Sequence, residues 1–219
     1  MERIDAEFLA DALRRASRRL ENQRAWLCAL DGEIGDGDHG TSMANGFDAI
    51  GRALNAEPPA RPADVLRVAA NAFLAEVGAT AGPLYASAFL EAASRLDTPK
   101  DLPLDRFGEL LATLAAGIAR CGKAQPGDKT MLDVWVPAAQ AAQRAVREHA
   151  DAMGIANITR DAAAAARDET VALMAMRGRA ARLHERSIGH MDPGAASSAE
   201  IIFAFCDTIA ERESKGQGG

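Results

Sequence analysis

The sequence predicts an all-α fold, an antiparallel up-and-down bundle of about eight helices. Three observations lead there. Apolar residues recur at helical spacing in one segment after another, and no segment shows convincing strand alternation. Alanine is abundant while aromatic residues make up only 5% of the chain, which favours closely packed helices over a β-sandwich. The connections between the helical segments are short, so successive helices should run antiparallel.

The first helix is predicted from about Asp5 to Leu30, with Phe8, Leu9, Leu13, Ala16 and Leu20 on one face and arginines opposite. A second runs from about His39 to Leu54. The segment from Asn55 to Pro62 holds three prolines in five residues and cannot continue it. Val65, Leu66, Ala69, Ala72 and Phe73 mark the third helix, ending near Val77. The fourth opens at Pro83, suited to a first helical position, and runs to about Arg95. Phe107, Leu110, Leu111, Leu114 and Ile118 give the clearest periodicity, for the fifth. Thr130 and Asp133 have the spacing of an N-cap and its acidic partner, opening the sixth, which runs to about Ala150. The seventh is alanine-rich, from Asp161 to about Met176. Ile201, Ile202, Phe205 and Ile209 define the eighth. Residues 1–213 are expected to form one domain, and the tail Ser214–Gly219 to be disordered.

Composition excludes several classes. The net charge is -6 and no basic block occurs, against nucleic acid as a partner. No apolar run approaches a membrane span, and the N-terminus is too charged for a signal peptide. Cys28, Cys121 and Cys206 form no CxxC and are odd in number, as expected of buried free thiols in a reducing cytoplasm.

One stretch carries chemistry: Asp31-Gly-Glu-Ile-Gly-Asp36-Gly-Asp38-His39-Gly40. The glycines let the run fold back, so that Asp31, Asp36 and Asp38 can point at one centre. Three carboxylates that close repel one another unless a cation lies between them, and magnesium takes carboxylate and phosphate oxygens. The spacing does not fit an EF-hand. A solvated acidic turn is the competing interpretation, since Asp and Gly are ordinary turn residues. Gly78-Ala-Thr80-Ala81-Gly-Pro83 precedes a helix, where free N–H groups suit phosphate, although taken alone the stretch is better explained by close packing of a helix–helix turn. It is no P-loop. In an up-and-down bundle the odd-numbered loops share one end. Those are the acidic loop, the Gly78–Pro83 turn, the Gly122–Thr130 turn and the Arg177–Gly194 stretch. All four unusual polar loops thus meet, which favours a magnesium–phosphate site.

Gly35-Asp-Gly-Asp-His39, Gly82-Pro-Leu, Gly127-Asp-Lys-Thr-Met131-Leu-Asp-Val-Trp-Val-Pro137, Gly178-Arg-Ala and Glu185–Gly194 resemble the nucleotide-binding L subunit of dihydroxyacetone kinase. The likeness covers nearly the whole chain. It implies a barrel of eight antiparallel helices that binds ADP or ATP at one end through two magnesium ions. Asp31, Asp36 and Asp38 would be the metal ligands. His39, Gly40, Thr41 and Ser42 would line the phosphate side, with N–H groups of Thr80 and Ala81. Gly122 and Met131 would contact the nucleoside. Arg179 and the Asp192-Pro193-Gly194 turn would close the pocket, and Arg179 would add positive charge during transfer. Without the resemblance, Met131 reads as core, Arg179 as a surface ion pair and His39 as a helix-start residue. Relatives commonly carry Ala-Ser before Gly-Pro, where this chain has Thr80-Ala81, so the hydroxyl has moved by one position.

The resemblance also implies partners. The ketose is held on a separate K subunit, and the donor is ATP or, through bound ADP, a phosphotransferase-system M subunit. Thr130–Pro137 and Glu185–Gly194 look more like the second branch. A homodimer is left open. Two rival functions are a nucleotide-bound co-regulator of a transcription factor and a self-sufficient phosphohydrolase. The absence of a positioned base in the sequence argues against the second.

Overall fold

A computed structural model describes residues 3–78, 80–95 and 101–216. Among these residues there are nine α-helices: α1 (Ala6–Asn22), α2 (Arg24–Ile34), α3 (His39–Ala56), α4 (Pro62–Glu76), α5 (Ala81–Arg95), α6 (Phe107–Gly122), α7 (Leu132–Arg147), α8 (Ala152–Glu169) and α9 (Pro193–Gly216). Eight of them form a closed ring. α1 packs on α3, each of α3 to α8 packs on the next, and α9 returns to α1. The barrel interior is filled by side chains. Phe47 meets Phe73, Tyr85 and Phe89 at one level, and Phe205 meets Phe8 and Phe107 at another. Small residues let the remaining faces approach closely; Ala12, Ala16, Ala69, Ala138, Ala142 and Ala199 are fully buried.

The structure corrects several expected boundaries. The expected first helix is two, broken at Gln23, so that α2 lies outside the ring and packs on α3 and α9. The helix expected from Asp161 begins at Ala152, because Asp151 caps it by accepting from the N–H of Gly154 at 2.7 Å. The same helix ends at Glu169, not near Met176, and passes into a short 3-10 turn over Thr170–Ala172. α7 stops at Arg147, where His149 takes a left-handed conformation and the N–H of Ala150 returns to the Ala145 carbonyl at 3.0 Å. A two-residue strand pair was not foreseen: β1 (Arg3–Ile4) lies antiparallel to β2 (Leu102–Pro103), burying Ile4 and Leu102. The tail expected to be disordered from Ser214 is helical through Gly216, supported by a Lys215–Glu211 pair one turn apart; residues 217–219 lie outside the described ones.

Because every pass reverses, α3, α5, α7 and α9 all begin at one end of the barrel. Both described chain ends lie at the other, where Arg212 of α9 pairs with Asp5 at 3.1 Å.

Candidate functional site

Asp31 sits on the last turn of α2, and Asp36 and Asp38 lie in the loop before α3. Their carboxylate oxygens lie within 4.8 Å of one another. Glycine makes this approach possible. A Cβ at Gly35 would stand 2.2 Å from Oδ1 of Asp31, so any side chain there would expel the carboxylate. Asp31 Oδ2 accepts from the N–H of Asp38 at 3.0 Å and of His39 at 3.2 Å. An acid from α2 thereby occupies the N-terminus of α3, where the helix dipole favours negative charge. Desolvation raises the pKa of Asp38, and the neighbouring Asp36 raises it further, while Arg179 opposes both. Arg179 pairs with Asp36. One guanidinium against three carboxylates leaves negative charge concentrated at one point. Hard oxygen donors in that arrangement suit magnesium.

Beside the trio lie two adjoining cavities of ≈ 160 and ≈ 300 Å³. They share Asp31, His39, Thr80, Leu84, Met131 and Arg179. The smaller is the acidic half, and Asp38, Ser42 and Ala81 also line it. The larger has apolar walls from Ile34, Ile118 and Pro193, with Gly122, Asp192 and Gly194 also on its lining. The structure thus brings together residues from all four loops. Asp36, Gly40 and Thr41 do not line either cavity. A Cβ at Gly40 would lie 2.1 Å from the Arg24 carbonyl oxygen, so this glycine serves the close packing of α3 on α2. Thr41 is exposed, with Oγ1 3.5 Å from Cys28 Sγ. What these two can offer a ligand at this end is first-turn backbone N–H groups.

His39 makes a tertiary bond, not a local one: Nε2 lies 2.9 Å from Ser197 Oγ on α9. Burial lowers its pKa, and Asp31 opposes the shift, so the imidazole is neutral at pH 7. Asp192 caps α9, accepting from the N–H of Ala195 at 2.7 Å, with Pro193 at the first helical position. Burial pushes its carboxyl up to about 7. Only half of the expected capping box of α7 forms, since the N-cap is Met131 and makes no side-chain cap bond. Thr130 Oγ1 accepts from Leu132 N–H at 3.2 Å, and Asp133 accepts from Thr130 N–H at 2.6 Å.

Sequence reasoning assigned no role to Lys129 or Asp128, and the structure makes them a fastening. Lys129 is 1% exposed with φ 59°. Its ammonium donates to the carbonyls of Leu173 at 3.0 Å and Ser187 at 2.6 Å. Burial lowers its pKa, and Asp192 works against that. Asp128 accepts from Arg177 Nε at 3.0 Å, and its carbonyl from Met176 N–H at 3.0 Å. Together with Arg179–Asp36 and His190–Glu33, these bonds draw the segment from Thr170 to Met191 across the barrel mouth as a strap. The only signal in the sequence was the Gly127-Asp-Lys-Thr run itself. A buried lysine is visible only once its two carbonyl partners, 44 and 58 residues away, are in place.

Residues 33–207 match the model of the DAK2 domain. The chain belongs to the DAK2-domain family. It is 36% identical over 190 residues to the ADP-binding subunit of PEP-dependent dihydroxyacetone kinase 1 of Listeria innocua, covering 87% of this chain and 90% of the relative. It is 35% identical to the ADP-binding subunit of the PEP-dependent dihydroxyacetone kinase of Escherichia coli K12, covering 84% of this chain and 88% of the relative. These DAK2-domain relatives make the chain a subunit of the kinase type. Among solved structures it resembles the dihydroxyacetone kinase of C. freundii in its native form, with a TM-score of 0.71 at 24% identity, covering 92% of this chain. It spans 34% of that kinase's length, and the likeness is one of fold. The same kinase has been solved with AMP-PNP and Mg2+.

Proposed function

We propose that this chain is the nucleotide- and magnesium-binding subunit of a dihydroxyacetone kinase. It passes a phosphoryl group to dihydroxyacetone, or a related ketose, held on a separate K subunit. The observation that carries this is the cluster of three carboxylates, two of which, Asp31 and Asp38, line the acidic half of a cavity whose other half has apolar walls. A nucleotide has the same two halves, anionic phosphates and a flat base.

Asp31, Asp36 and Asp38 would hold magnesium, one ion or two. Magnesium held there would supply positive charge to screen the phosphoryl group being transferred. N–H groups at the starts of α3 and α5 face the same end and receive phosphate oxygens. Arg179 lines both cavities and supplies further positive charge there. Met131, Leu84 and Gly122 receive the nucleoside. His39 is held in place by Ser197 on α9 and lines both cavities. The aspartates are committed to metal, so the acceptor's proton leaves on the partner's side. The donor is read as a PEP-driven phosphotransferase M subunit acting through bound ADP, in line with the names of the relatives at 35–36% identity. The three cysteines are free, in line with a reducing cytoplasm, but only Cys206 is buried as expected; Cys28 is half-buried and Cys121 exposed.

The test is incompleteness. The isolated chain should bind ADP with magnesium and form no ketose phosphate from ATP and dihydroxyacetone. Adding the cognate K subunit, with ATP or phosphorylated M subunit, should restore transfer. Robust ketose phosphate formation by this chain alone would overturn the proposal.

A further inference from the structure

The strap differs in composition from the rest of the chain. Between Met174 and Ile188 stand four arginines against one glutamate and no lysine, a local charge of +3 on a chain of -6. Two of the arginines are used internally, Arg177 on Asp128 and Arg179 on Asp36. Arg182 and Arg186 are exposed and have no ion-pair partner among the described residues. The same fifteen residues hold Met176, Ile188 and Met174, at 54%, 46% and 38% exposure. These are half of the six large hydrophobic side chains exposed among the described residues. Elsewhere an exposed methionine needs no explanation; three exposed apolar side chains interleaved with unpaired arginines on one segment do.

Arginine and methionine are the residues enriched in protein–protein contacts, where lysine is depleted. The strap is also no loose loop. Lys129, Asp128, Asp36 and Glu33 fasten it at several points, so its outer surface is preorganised and loses little freedom on binding. On its far side the mouth is bounded by the acidic loop, with Glu33 and Asp36 exposed. The mouth is therefore bipolar, basic along the strap and acidic along the α2–α3 loop. An asymmetric pair of charges of this kind fixes which way round a partner lands.

We infer that the outer surface of the strap, with Arg182 and Arg186 flanked by Met174, Met176 and Ile188, is the docking surface for the ketose-holding partner, which meets it with an acidic, apolar-centred face. The inference rests on the proposed transfer to a separate subunit. It adds which side of the mouth the partner grips and by what chemistry. Docking here sets the acceptor over the cavity that Arg179 lines, three residues before Arg182 on the same 3-10 turn.

The experiment uses the double variant Arg182→Glu/Arg186→Glu in the full chain, with Met176→Ser/Ile188→Ser as a second, uncharged probe. Magnesium–ADP affinity is measured by calorimetry, and phosphoryl transfer is measured while the cognate K subunit is titrated at low and high ionic strength. Charge reversal should raise the half-saturating K-subunit concentration about tenfold at low salt and flatten its salt dependence. The serine variant should raise it at both salt concentrations. Magnesium–ADP affinity should stay within about twofold in both, since neither pair lines the cavity. Unchanged K-subunit saturation with intact nucleotide binding overturns the docking surface while leaving the nucleotide reading standing. Lost nucleotide affinity in both variants makes the strap part of the ligand site and overturns it as well. Sedimentation showing that the variants instead abolish self-association, or a defect confined to rephosphorylation by the M subunit, assigns the surface to another occupant and overturns it too. A wild-type chain that binds no magnesium–ADP sinks the underlying function itself.

Discussion

The two ends of the barrel use the same device, an acid at a helix N-terminus, for different purposes. At the far end the acids are local. Asp5 caps α1 by accepting from Phe8 N–H at 2.6 Å, and Asp151 caps α8 through Gly154 N–H at 2.7 Å. Each belongs to the helix that it caps, and the one further task, the Arg212 pair of Asp5, is structural too. At the site end α3 is capped from another helix. Its own N-cap, Asp38, makes no side-chain bond to it, and Asp31 of α2 takes the N–H groups instead. Asp36 and Asp38 are left free of capping duty and crowd against Asp31. A self-contained cap stabilises; a borrowed cap with surplus carboxylates leaves charge to be met by a ligand.

The sharpest way to break this contrast is Asp36→Asn. Asp36 caps nothing, so the helices should keep their circular dichroism. Magnesium-dependent ADP affinity by calorimetry should fall by roughly 100-fold, about 2.7 kcal/mol. Unchanged affinity would remove the metal role. Next in size is the effect of ligand on the wild-type chain. Magnesium with ADP at 100 times its dissociation constant should stabilise the fold by about 2.7 kcal/mol and raise the melting temperature, and EDTA should reverse the gain. A melting curve indifferent to both would mean that the crowded carboxylates are only a solvated turn. The smallest effect belongs to the far end. Asp151→Ala should cost about 1 kcal/mol of stability in urea unfolding and leave magnesium–ADP affinity unchanged. A change in nucleotide affinity there would show that the two ends are coupled after all.

Most of the barrel was legible as periodicity. The apolar faces of the ring helices, the Asp133 bond back to Thr130 N–H, and the meeting of four polar loops all follow from spacing and alternation of direction. The misses have a common cause. Left-handed backbone is expected at glycine, yet Lys123, Lys129, His149 and His184 all adopt positive φ. Three of the four sit in turns bordering the site or the strap, and nothing local marks them. The start of α8 was missed because Gly154 and Asn157 weaken the local preference that Asp151 then overrides. The break at Gln23 was hidden because the apolar face of α1 gives way to Trp26 and Leu27 without a proline or glycine between. In the site, residue types marked the three aspartates that the structure brings within 4.8 Å of one another. The fastening by Lys129 depends on carbonyls far away in sequence, which no pattern of side chains encodes.

The closure of α1 against α9 brings Arg3 and Gly216 to the end opposite the mouth, tied by the Arg212–Asp5 pair. A polypeptide joined to either terminus would therefore leave from beneath the barrel, not across its opening. The ring is in this sense a cartridge. It can be strung into a longer chain at either side without rebuilding the end that carries the three aspartates.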